Sequence, residues 1–157
     1  MMISLVNIRD SLATLLKSGF EGWKVHFDNV EKPQAPYFYV EMAARAKSLD
    51  EAYSERRVSL TVSAILPLNK AGRVSRKELF EIADKLDGLI RPVFRVQDRA
   101  ITVLDANHVI VDDILHYYFE LEFVDAVERP YVDTMEELDM DLTMEDFTMK
   151  GMNINGE

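Results

Sequence analysis

Two long segments alternate apolar and polar side chains, and this pattern constrains the fold more than any other feature of the sequence. In residues 56–66, apolar side chains recur at every second position from Val58 onwards, with mostly polar side chains between them. Residues 115–123 repeat the pattern from Leu115 to Phe123. Because successive side chains of a β-strand point to opposite faces, a period of two predicts strands with one buried face.

Two further segments have the helical period, with apolar residues at steps of three and four. The first covers about residues 3–18, and Ser4 is its expected N-cap. The second is expected to begin with a capping box, in which the Ser75 hydroxyl accepts from the Glu78 backbone N–H and the Glu78 carboxylate reaches back. It ends before Pro92, since the residue that precedes a proline disfavours the helical conformation. Each helix has one apolar stripe and is expected to pack on a sheet.

Shorter apolar segments predict further strands, which are joined by turns. These strands are expected at residues 23–27, 37–46, 94–96, 100–104 and 109–111. Asp112 and Asp113 predict the turn before the last long strand. The polar stretch at residues 47–55 is too long for a tight turn, and we expect it to form an extended, solvent-exposed hairpin tip. The predicted fold class is α+β, a two-layer sandwich in which a largely antiparallel sheet carries two amphipathic helices on one face.

The negative charge of the chain is concentrated near its C-terminal end. The 157 residues hold 18 basic and 28 acidic side chains, which gives a formal net charge of −10. Residues 128–157 alone hold 2 basic and 9 acidic side chains, together with five of the eight methionines. We therefore divide the chain into an α+β domain at residues 1–127 and an acidic, Met-rich tail at residues 128–157. The acidic balance argues against a general nucleic-acid binder, whose affinity comes from neutralising phosphates.

The tail contains a seven-residue alternation of its own. Its apolar positions are Leu138, Met140, Leu142 and Met144. A period of two predicts a strand, and a segment with so few neighbours needs the edge of a sheet to bury its apolar side. We expect it to add to an edge of this domain's sheet or to the sheet of another chain. The alternative is a disordered acidic tail that keeps the protein soluble.

The sequence offers little catalytic or metal-binding chemistry. It has no cysteine, which excludes disulfides, thiolate metal sites and cysteine nucleophiles. The histidines His26, His108 and His116 lack the spacings of metal-binding motifs, and we expect them at surface or interface positions. No phosphate-binding or dinucleotide-binding fingerprint is present, so we expect no cofactor and no metal. No apolar run approaches the roughly 20 residues that a membrane span needs, and no secretory signal is visible.

Several segments together are similar to a known protein family. They are residues 3–12, 25–30, 36–40, 72–87, 98–104 and 115–117. In this combination, which covers roughly residues 3–125, the sequence resembles a family of small tail terminator proteins encoded by phages and prophages of Gram-positive bacteria. The match is one of overall pattern and includes no catalytic signature. It does not extend to the acidic tail.

The resemblance implies a structural function in the virion. Tail terminators are small α+β subunits that form a hexameric ring, cap the finished tail tube and present a surface for joining the head. The implied partners are further copies of the chain, the tail tube protein and the head–tail connector protein, with the tail sheath as a further candidate. DNA passes through the lumen of such a ring without specific binding. The implied location is the tail or neck of the virion, and the host cytoplasm during assembly.

A ring uses contacts in which one surface of a subunit binds a different surface of its neighbour. Charges of both signs around the predicted hairpin tip and before the second helix suit such contacts. The expected subunit or tube interface consists of Asp50, Glu51, Tyr53, Arg56, Arg57, Lys70, Arg73, Arg76 and Lys77. The basic residues before the second helix also fit an anion site or plain surface.

Three other functions remain open from the sequence. A head–tail connector or completion protein of the neck would share the fold and the lack of chemistry. A non-catalytic host ligand-binding α+β domain would need a concave pocket with converging polar groups. An enzyme would have to use His116 or carboxylates such as that of Asp113.

Overall fold

Two helices and seven strands lie within residues 2–127, which are the residues that the computed structural model describes. The helices are α1 (Leu5–Gly19) and α2 (Arg76–Ile90). The strands are β1 (Lys24–His26), β2 (Tyr37–Ser48), β3 (Tyr53–Ile65), β4 (Val93–Val96), β5 (Arg99–Thr102), β6 (Ala106–Val111) and β7 (Ile114–Ala126). The predicted acidic tail, with its expected strand at Leu138, Met140, Leu142 and Met144, lies outside the described residues.

Five of the strands form one sheet in the order β1-β2-β3-β7-β6, and β4 and β5 form a separate antiparallel ribbon. β1 and β2 are parallel, and the other neighbouring pairs of the large sheet are antiparallel. β3 and β7 pair from Tyr53 opposite Ala126 to Ala64 opposite Leu115. The two segments with the clearest alternation therefore lie side by side in the middle of the sheet.

One face of the large sheet packs against α1, α2 and the β4–β5 ribbon in a single hydrophobic cluster. The helices bury Ile8, Leu12 and Leu16 of α1 and Leu79, Ile82, Ala83, Leu86 and Ile90 of α2. The two central strands bury Val58, Leu60, Val62 and Ala64 of β3 and Leu115, Tyr117, Phe119, Leu121 and Phe123 of β7. Burial of a large apolar side chain stabilises a fold by about 1.5–3 kcal/mol. The predicted α+β sandwich with both helices on one face is confirmed.

The two helices begin with different caps. At α1 the Ser4 hydroxyl accepts from the Asn7 backbone N–H at 3.0 Å, and the Asn7 side-chain oxygen accepts from the Ser4 N–H at 3.1 Å. At α2 the Ser75 hydroxyl accepts from the Glu78 N–H at 3.3 Å, but the Glu78 side chain makes no return bond to the Ser75 N–H. The reciprocal capping box expected at α2 is therefore wrong, and the complete box belongs to α1.

The polar stretch at residues 47–55 is an exposed hairpin end, as expected, but most of it is strand. The β2–β3 ladder continues to Ser48 opposite Ser54, and the turn comprises residues 49–52. The expectation that this stretch is too long for a short turn is wrong, because polar residues continue the backbone pairing of both strands. The hairpin end is consequently a paired part of the sheet, where Tyr53 also lies opposite Ala126 and the Ala52 carbonyl accepts a hydrogen bond of 2.7 Å from the Val127 N–H.

The turn between β6 and β7 is formed by Asp112 and Asp113, as predicted. Both have left-handed backbone angles, with φ of 53° and 60°. Val111 lies opposite Ile114, so the connection is a two-residue hairpin turn, whose backbone twist matches that of the paired strands.

Candidate interaction surface

The face of the large sheet that turns away from the helices carries the alternate residues of the same strands, and we call it the open face. Its side chains from the three longest strands are Tyr37, Tyr39, Glu41, Ala43, Arg45 and Lys47 of β2, Glu55, Arg57, Ser59, Thr61, Ser63 and Ile65 of β3, and Ile114, His116, Tyr118, Glu120, Glu122 and Val124 of β7. All of them except Ser63 are exposed or half-buried. The strict alternation of the strands thus produces one apolar face and one largely polar face.

The end of the open face nearest the β2–β3 turn is charged. An Arg57 guanidinium nitrogen lies 3.1 Å from the Glu122 carboxylate, and another lies 3.8 Å from that of Glu120. Arg45 and Lys47 line a hollow of about 390 Å³ beside Arg57. Arg57, one of the expected interface residues, therefore lies on the open face with its charge paired inside the chain. Exposed ion pairs contribute about 0–1 kcal/mol, so this pairing is easily exchanged for contacts with a partner.

The other end of the open face is aromatic and contains a cleft of about 310 Å³, which we call the open-face cleft. It is lined by His26, Asp28, Asn29, Val30, Pro33, Tyr37, Tyr39, Glu41, Ser63, Ile65, Ile114 and His116. The Ser63 hydroxyl oxygen lies 2.8 Å from Nδ1 of His116, and the His26 ring packs edge-on against Tyr37. These contacts hold both imidazoles in place. His26 and His116 are half-buried on the open face, which agrees with the surface or interface positions expected for them.

The Ser63–His116 pair resembles a nucleophile beside its base, which is the arrangement that an enzyme would use. A working pair also needs a group that orients the second imidazole nitrogen. Within residues 2–127, no carboxylate forms a hydrogen bond or ion pair with His116. The same part of the chain brings together no group of three or more metal-ligating side chains.

The hairpin tip, which we define as residues 49–53, is built around an aspartate. Oδ1 of Asp50 accepts hydrogen bonds from the backbone N–H groups of Ala52 at 2.7 Å and Tyr53 at 2.8 Å. This closes the turn in the manner of an Asx motif. The tip presents two apolar side chains to solvent, since Leu49 is 50% and Tyr53 49% exposed. Three of the expected interface residues, Asp50, Glu51 and Tyr53, therefore share one exposed turn.

Four further expected residues form a second group, which we call the basic cluster. They are Lys70 and Arg73 in the loop after β3 and Arg76 and Lys77 in the first turn of α2. All four are exposed, and none has an ion-pair partner in the described part of the chain. The cluster follows one end of β3, whereas the hairpin tip precedes the other. A strand of 13 residues spans about 40 Å, so the two groups cannot pair within one subunit.

Arg56, the ninth expected interface residue, lies on the helix side of the sheet instead of the open face. It donates a hydrogen bond of 2.6 Å to the Ile3 carbonyl, and its guanidinium stacks over the Phe123 ring. Asp125, which is 3% exposed, accepts from the Ile3 N–H at 2.9 Å and from Arg99. Arg56 therefore fastens the N-terminal segment to β7. Asp125 was missed from the sequence, although it occupies the next buried position after Phe123 in the alternation of β7.

A second polar network joins α2 to the sheet. The Asp87 carboxylate accepts from the Tyr117 hydroxyl at 2.7 Å and from Nε of Arg91 at 2.9 Å. Burial raises the pKa of Asp87, but the hydrogen bonds from Tyr117 and Arg91 outweigh burial and hold that pKa below its usual value. Burial and the bond to Asp87 raise the pKa of Tyr117 well above its usual value. These groups serve the subunit's own stability and lie away from the open face.

One of three comparisons with known proteins identifies a family for this chain. A family model described as phage tail terminator protein matches residues 7–133. A solved structure whose name states no function is 16% identical, covers 83% of this chain and 100% of its own, and superposes with a TM-score of 0.45. No curated protein matches the sequence. None of the helices in residues 2–127 is long and apolar enough to cross a membrane.

Proposed function

The chain belongs to the phage tail terminator family, and we propose that it acts as a ring of identical subunits that caps the end of the tail tube. Proteins of this family are structural proteins of the phage tail. The family match over residues 7–133 carries the proposal, because it includes all but the first two residues of α1, the whole of α2 and all the strands that carry the open face. To this family membership the proposal adds three features: the ring, the capping of the tail tube and the surface for joining the head.

The arrangement of charged and apolar groups supports a ring. A closed ring needs two different surfaces on each subunit, so that one copy binds the next in the same direction around the axis. The hairpin tip and the basic cluster lie at opposite ends of β3. The tip carries the negative charges of Asp50 and Glu51, and the cluster carries four positive charges. The expected interface residues therefore fit contacts with other subunits or with the tube, with the exception of Arg56, which is engaged within its own subunit.

The proposed partners follow from the same function. One side of the ring binds the tail tube protein, and the other binds the head–tail connector protein, with the tail sheath as a further candidate. DNA passes through the lumen during ejection. The formal net charge of −10 per chain suits such a passage, because acidic walls repel phosphates and allow sliding, whereas basic walls retain DNA. The proposed location is the junction of tail and neck, with assembly in the host cytoplasm.

The alternative functions predict different partners. A connector or completion protein of the neck would use the same fold but would bind the head portal and not the free tube end. A host ligand-binding domain would use the open-face cleft for a small molecule, although about 310 Å³ is at the lower end of the range for ligand pockets. An enzyme would depend on Ser63 and His116. Of these, the neck protein is the nearest competitor.

Purified full-length protein mixed with purified tail tubes tests the proposed function. Light scattering gives the mass of the protein alone and with tubes, and negative-stain imaging shows where it binds. We expect a ring-sized particle, or decoration of one tube end only, and tubes that no longer elongate. A protein that stays monomeric and leaves the tubes undecorated would contradict the proposal and favour the neck or host alternatives.

A further inference from the structure

We propose that the subunits of the ring are joined through their sheets, with the outer edge of β6 in one subunit pairing antiparallel to the outer edge of β1 in the next. The partner of each edge is thus a second copy of this chain. This inference rests on the proposed ring and names the contact that closes it. The hairpin tip and the basic cluster, at opposite ends of β3, are left for contacts with the tube and the connector.

β6 is an edge strand that lacks the usual protection against pairing. It ends the strand order of the large sheet, so one side of its backbone has no strand beside it within residues 2–127. Natural edge strands commonly carry a lysine, a proline or a bulge that prevents pairing with another chain. β6 contains no lysine and no proline, and its ladder with β7 runs without interruption from Ala106 to Val111. Such an edge is suited to receive a further strand.

β1 ends the same sheet on the opposite side and has the right direction to be that strand. It is parallel to β2, and each of the three following pairs, β2–β3, β3–β7 and β7–β6, is antiparallel, so β1 and β6 run in opposite directions. When two copies stand side by side in the same orientation, β6 of one therefore meets β1 of the other as antiparallel strands. Two unlike edges on opposite sides of a subunit also give the head-to-tail contact that a ring needs.

The register of the sheet places the two edges at the same height. One row across the five strands consists of Val25, Phe38, Ala64, Leu115 and Ile110. The next row begins at His26 in β1 and ends at Val109 in β6. A copy that is displaced at right angles to the strands thus brings its Val25 beside Ile110 with no shift along them. A closed ring has no rise from copy to copy, whereas edges at different heights would build an open helix.

Apolar side chains on the open face lie next to both edges. Val109 and Val111 of β6 are 43% and 48% exposed, and they share the open face with their partners in β7. The loop after β1 carries Val30, which is 43% exposed and lines the open-face cleft together with His26. In the proposed contact, Val30 of one copy covers the exposed valines of its neighbour. Burial of this apolar area favours association.

Charge complementarity selects β1 as the partner of β6. Lys24 of β1 is level with Val111, and Val111 is followed by Asp112 and Asp113 in the turn. All three charged side chains are exposed, and none of them forms an ion pair in the part of the chain that the structure describes. In the proposed contact, the ammonium group of one copy approaches the two carboxylates of the next. Pairing between two β6 edges would instead bring the two aspartates beside Asp105 of the other copy, where like charges repel.

Engineered disulfides test the contact directly, because the natural chain has no cysteine. In the full-length chain, Lys24→Cys is combined with Val111→Cys, two positions that face each other across the proposed contact at a separation that suits a disulfide. Within one chain, β1 and β6 lie at opposite edges of the sheet, about 19 Å apart, so a disulfide between them can only join two copies. The matched control combines Lys24→Cys with Val124→Cys, since Val124 is 49% exposed on the open face but lies near the other end of β7.

The two variants are oxidised under mild conditions, alone and on tail tubes. We expect the first variant to give a ladder of covalent oligomers on a non-reducing gel, up to the size of the ring, and the control to stay uncross-linked. A ladder from the first variant alone would establish the edge contact.

The other outcomes separate this inference from the proposed function. A ring by light scattering without that ladder, or with an equal ladder in the control, would overturn the edge contact and leave the ring intact. Covalent dimers from Val111→Cys alone would show that two β6 edges pair, and a cross-link from Val111→Cys to Leu142→Cys would assign the edge to the acidic tail. Either result would overturn the contact between β6 and β1. Failure of the unaltered chain to form a ring or bind tubes would overturn both proposals.

Charge variants supply a second readout that needs no new cysteine. Lys24→Glu places three carboxylates together and should weaken assembly about tenfold. In a chain that carries Asp112→Asn and Asp113→Asn, the same change should weaken assembly less than about threefold, and asparagine tolerates the left-handed backbone of this turn. Lys17→Glu makes the same charge change on α1 and should leave assembly as it is. An equal loss from Lys24→Glu in both chains would contradict the pairing of Lys24 with the turn.

Discussion

The two faces of the large sheet are built from the same strands, yet they serve different purposes. Phe119 and Tyr118 are neighbours in β7, but Phe119 is 4% exposed on the helix side and Tyr118 is 38% exposed on the open face. On the helix side, side chains bury apolar area against α1 and α2. On the open face, they present charge, aromatic rings and a cleft. A change of one position along a strand therefore moves a residue from the buried core to the exposed open face.

Charged groups follow the same division. Asp125 on the helix side is buried and bonds to Ile3 and Arg99, so its charge is committed to the fold. Arg57 on the open face pairs with Glu120 and Glu122 where solvent screens the interaction. The comparison predicts that substitutions on the helix side change stability, whereas those on the open face change assembly.

The largest expected effect comes from neighbouring aromatic residues in β7. Phe119→Ala should lower the free energy of unfolding by about 3–5 kcal/mol, because it leaves a cavity in the core. Tyr118→Ala, on the open face, should lower it by less than about 1 kcal/mol. Urea unfolding of the two variants measures both values. Similar losses would mean that the open face is part of the stabilising core and would break the comparison.

A smaller effect is expected from the two kinds of carboxylate. Asp125→Ala should lower the free energy of unfolding by about 3 kcal/mol, since it leaves Arg99 and the Ile3 N–H without their partner. Glu120→Ala removes an exposed partner of Arg57 and should cost less than about 1 kcal/mol. Thermal unfolding at matched pH compares them. A cost for Glu120→Ala that equals or exceeds that for Asp125→Ala would show that the open face carries the structural charges.

The Asp87–Tyr117 network predicts a pH dependence confined to the helix side. Because the pKa of Asp87 lies below 3.8 in the folded chain, its contribution to stability is present above that pH and lost as pH falls through the folded pKa. Because the pKa of Tyr117 is raised from 10.0, its contribution is present below pH 10 and lost as pH rises towards the folded pKa.

Unfolding free energies between pH 2 and 11 measure both parts of this dependence, the loss of stability at acid pH (the acid limb) and at alkaline pH (the alkaline limb). Asp87→Asn should flatten the acid limb, and Tyr117→Phe should flatten the alkaline limb. His116→Ala on the open face should leave both limbs as they are. If the Asp87→Asn variant lost unfolding free energy at acid pH as steeply as the unaltered chain, the Asp87–Tyr117 network would not be the cause of the acid dependence.

The smallest expected effect is a gain in stability on α2. Gly88 is exposed and a Cβ there meets open space, so Gly88→Ala should stabilise the chain by about 0.5–1 kcal/mol. Gly19→Ala is the matched control in α1, where the new Cβ overlaps the Leu89 side chain and cancels the gain. Calorimetry gives the stability, and light scattering should show unchanged assembly for Gly88→Ala. Loss of assembly would place the outer surface of α2 in an interface.

The alternation in the sequence predicted which residues lie on each face of the sheet, because successive side chains of a strand point to opposite faces. Val58 and Leu115 begin stripes that the structure buries without exception as far as Ala64 and Phe123. Arg56 lies two residues before Val58, so the same alternation places its side chain on the helix side of the sheet. Asp125 lies two residues after Phe123, so the alternation places it on the helix side as well. Both were missed because charge was taken as a sign of exposure, whereas hydrogen bonds to Ile3 compensate their burial.

The open-face cleft could not be predicted in the same way. Its walls come from β1, the β1–β2 loop and the ends of three other strands, and the register of three pairings decides whether they meet. Distances along the chain carry little information about such a register. The short turn at residues 49–52 was missed for a related reason, since polar composition does not reveal that Ser48 and Ser54 pair.

Amide hydrogen exchange of the full-length chain, alone and assembled on tail tubes, tests the central claim most directly. The account predicts that assembly slows exchange at the hairpin tip and around the open-face cleft, at residues 28–33 and at the start of β7. Exchange along α1 and along α2 beyond its first turn, which carries Arg76 and Lys77 of the proposed interface, should stay as it is in the free chain. Slowed exchange on the outer surfaces of the helices, with an unchanged tip and cleft, would show that the open face is not the surface through which this protein assembles.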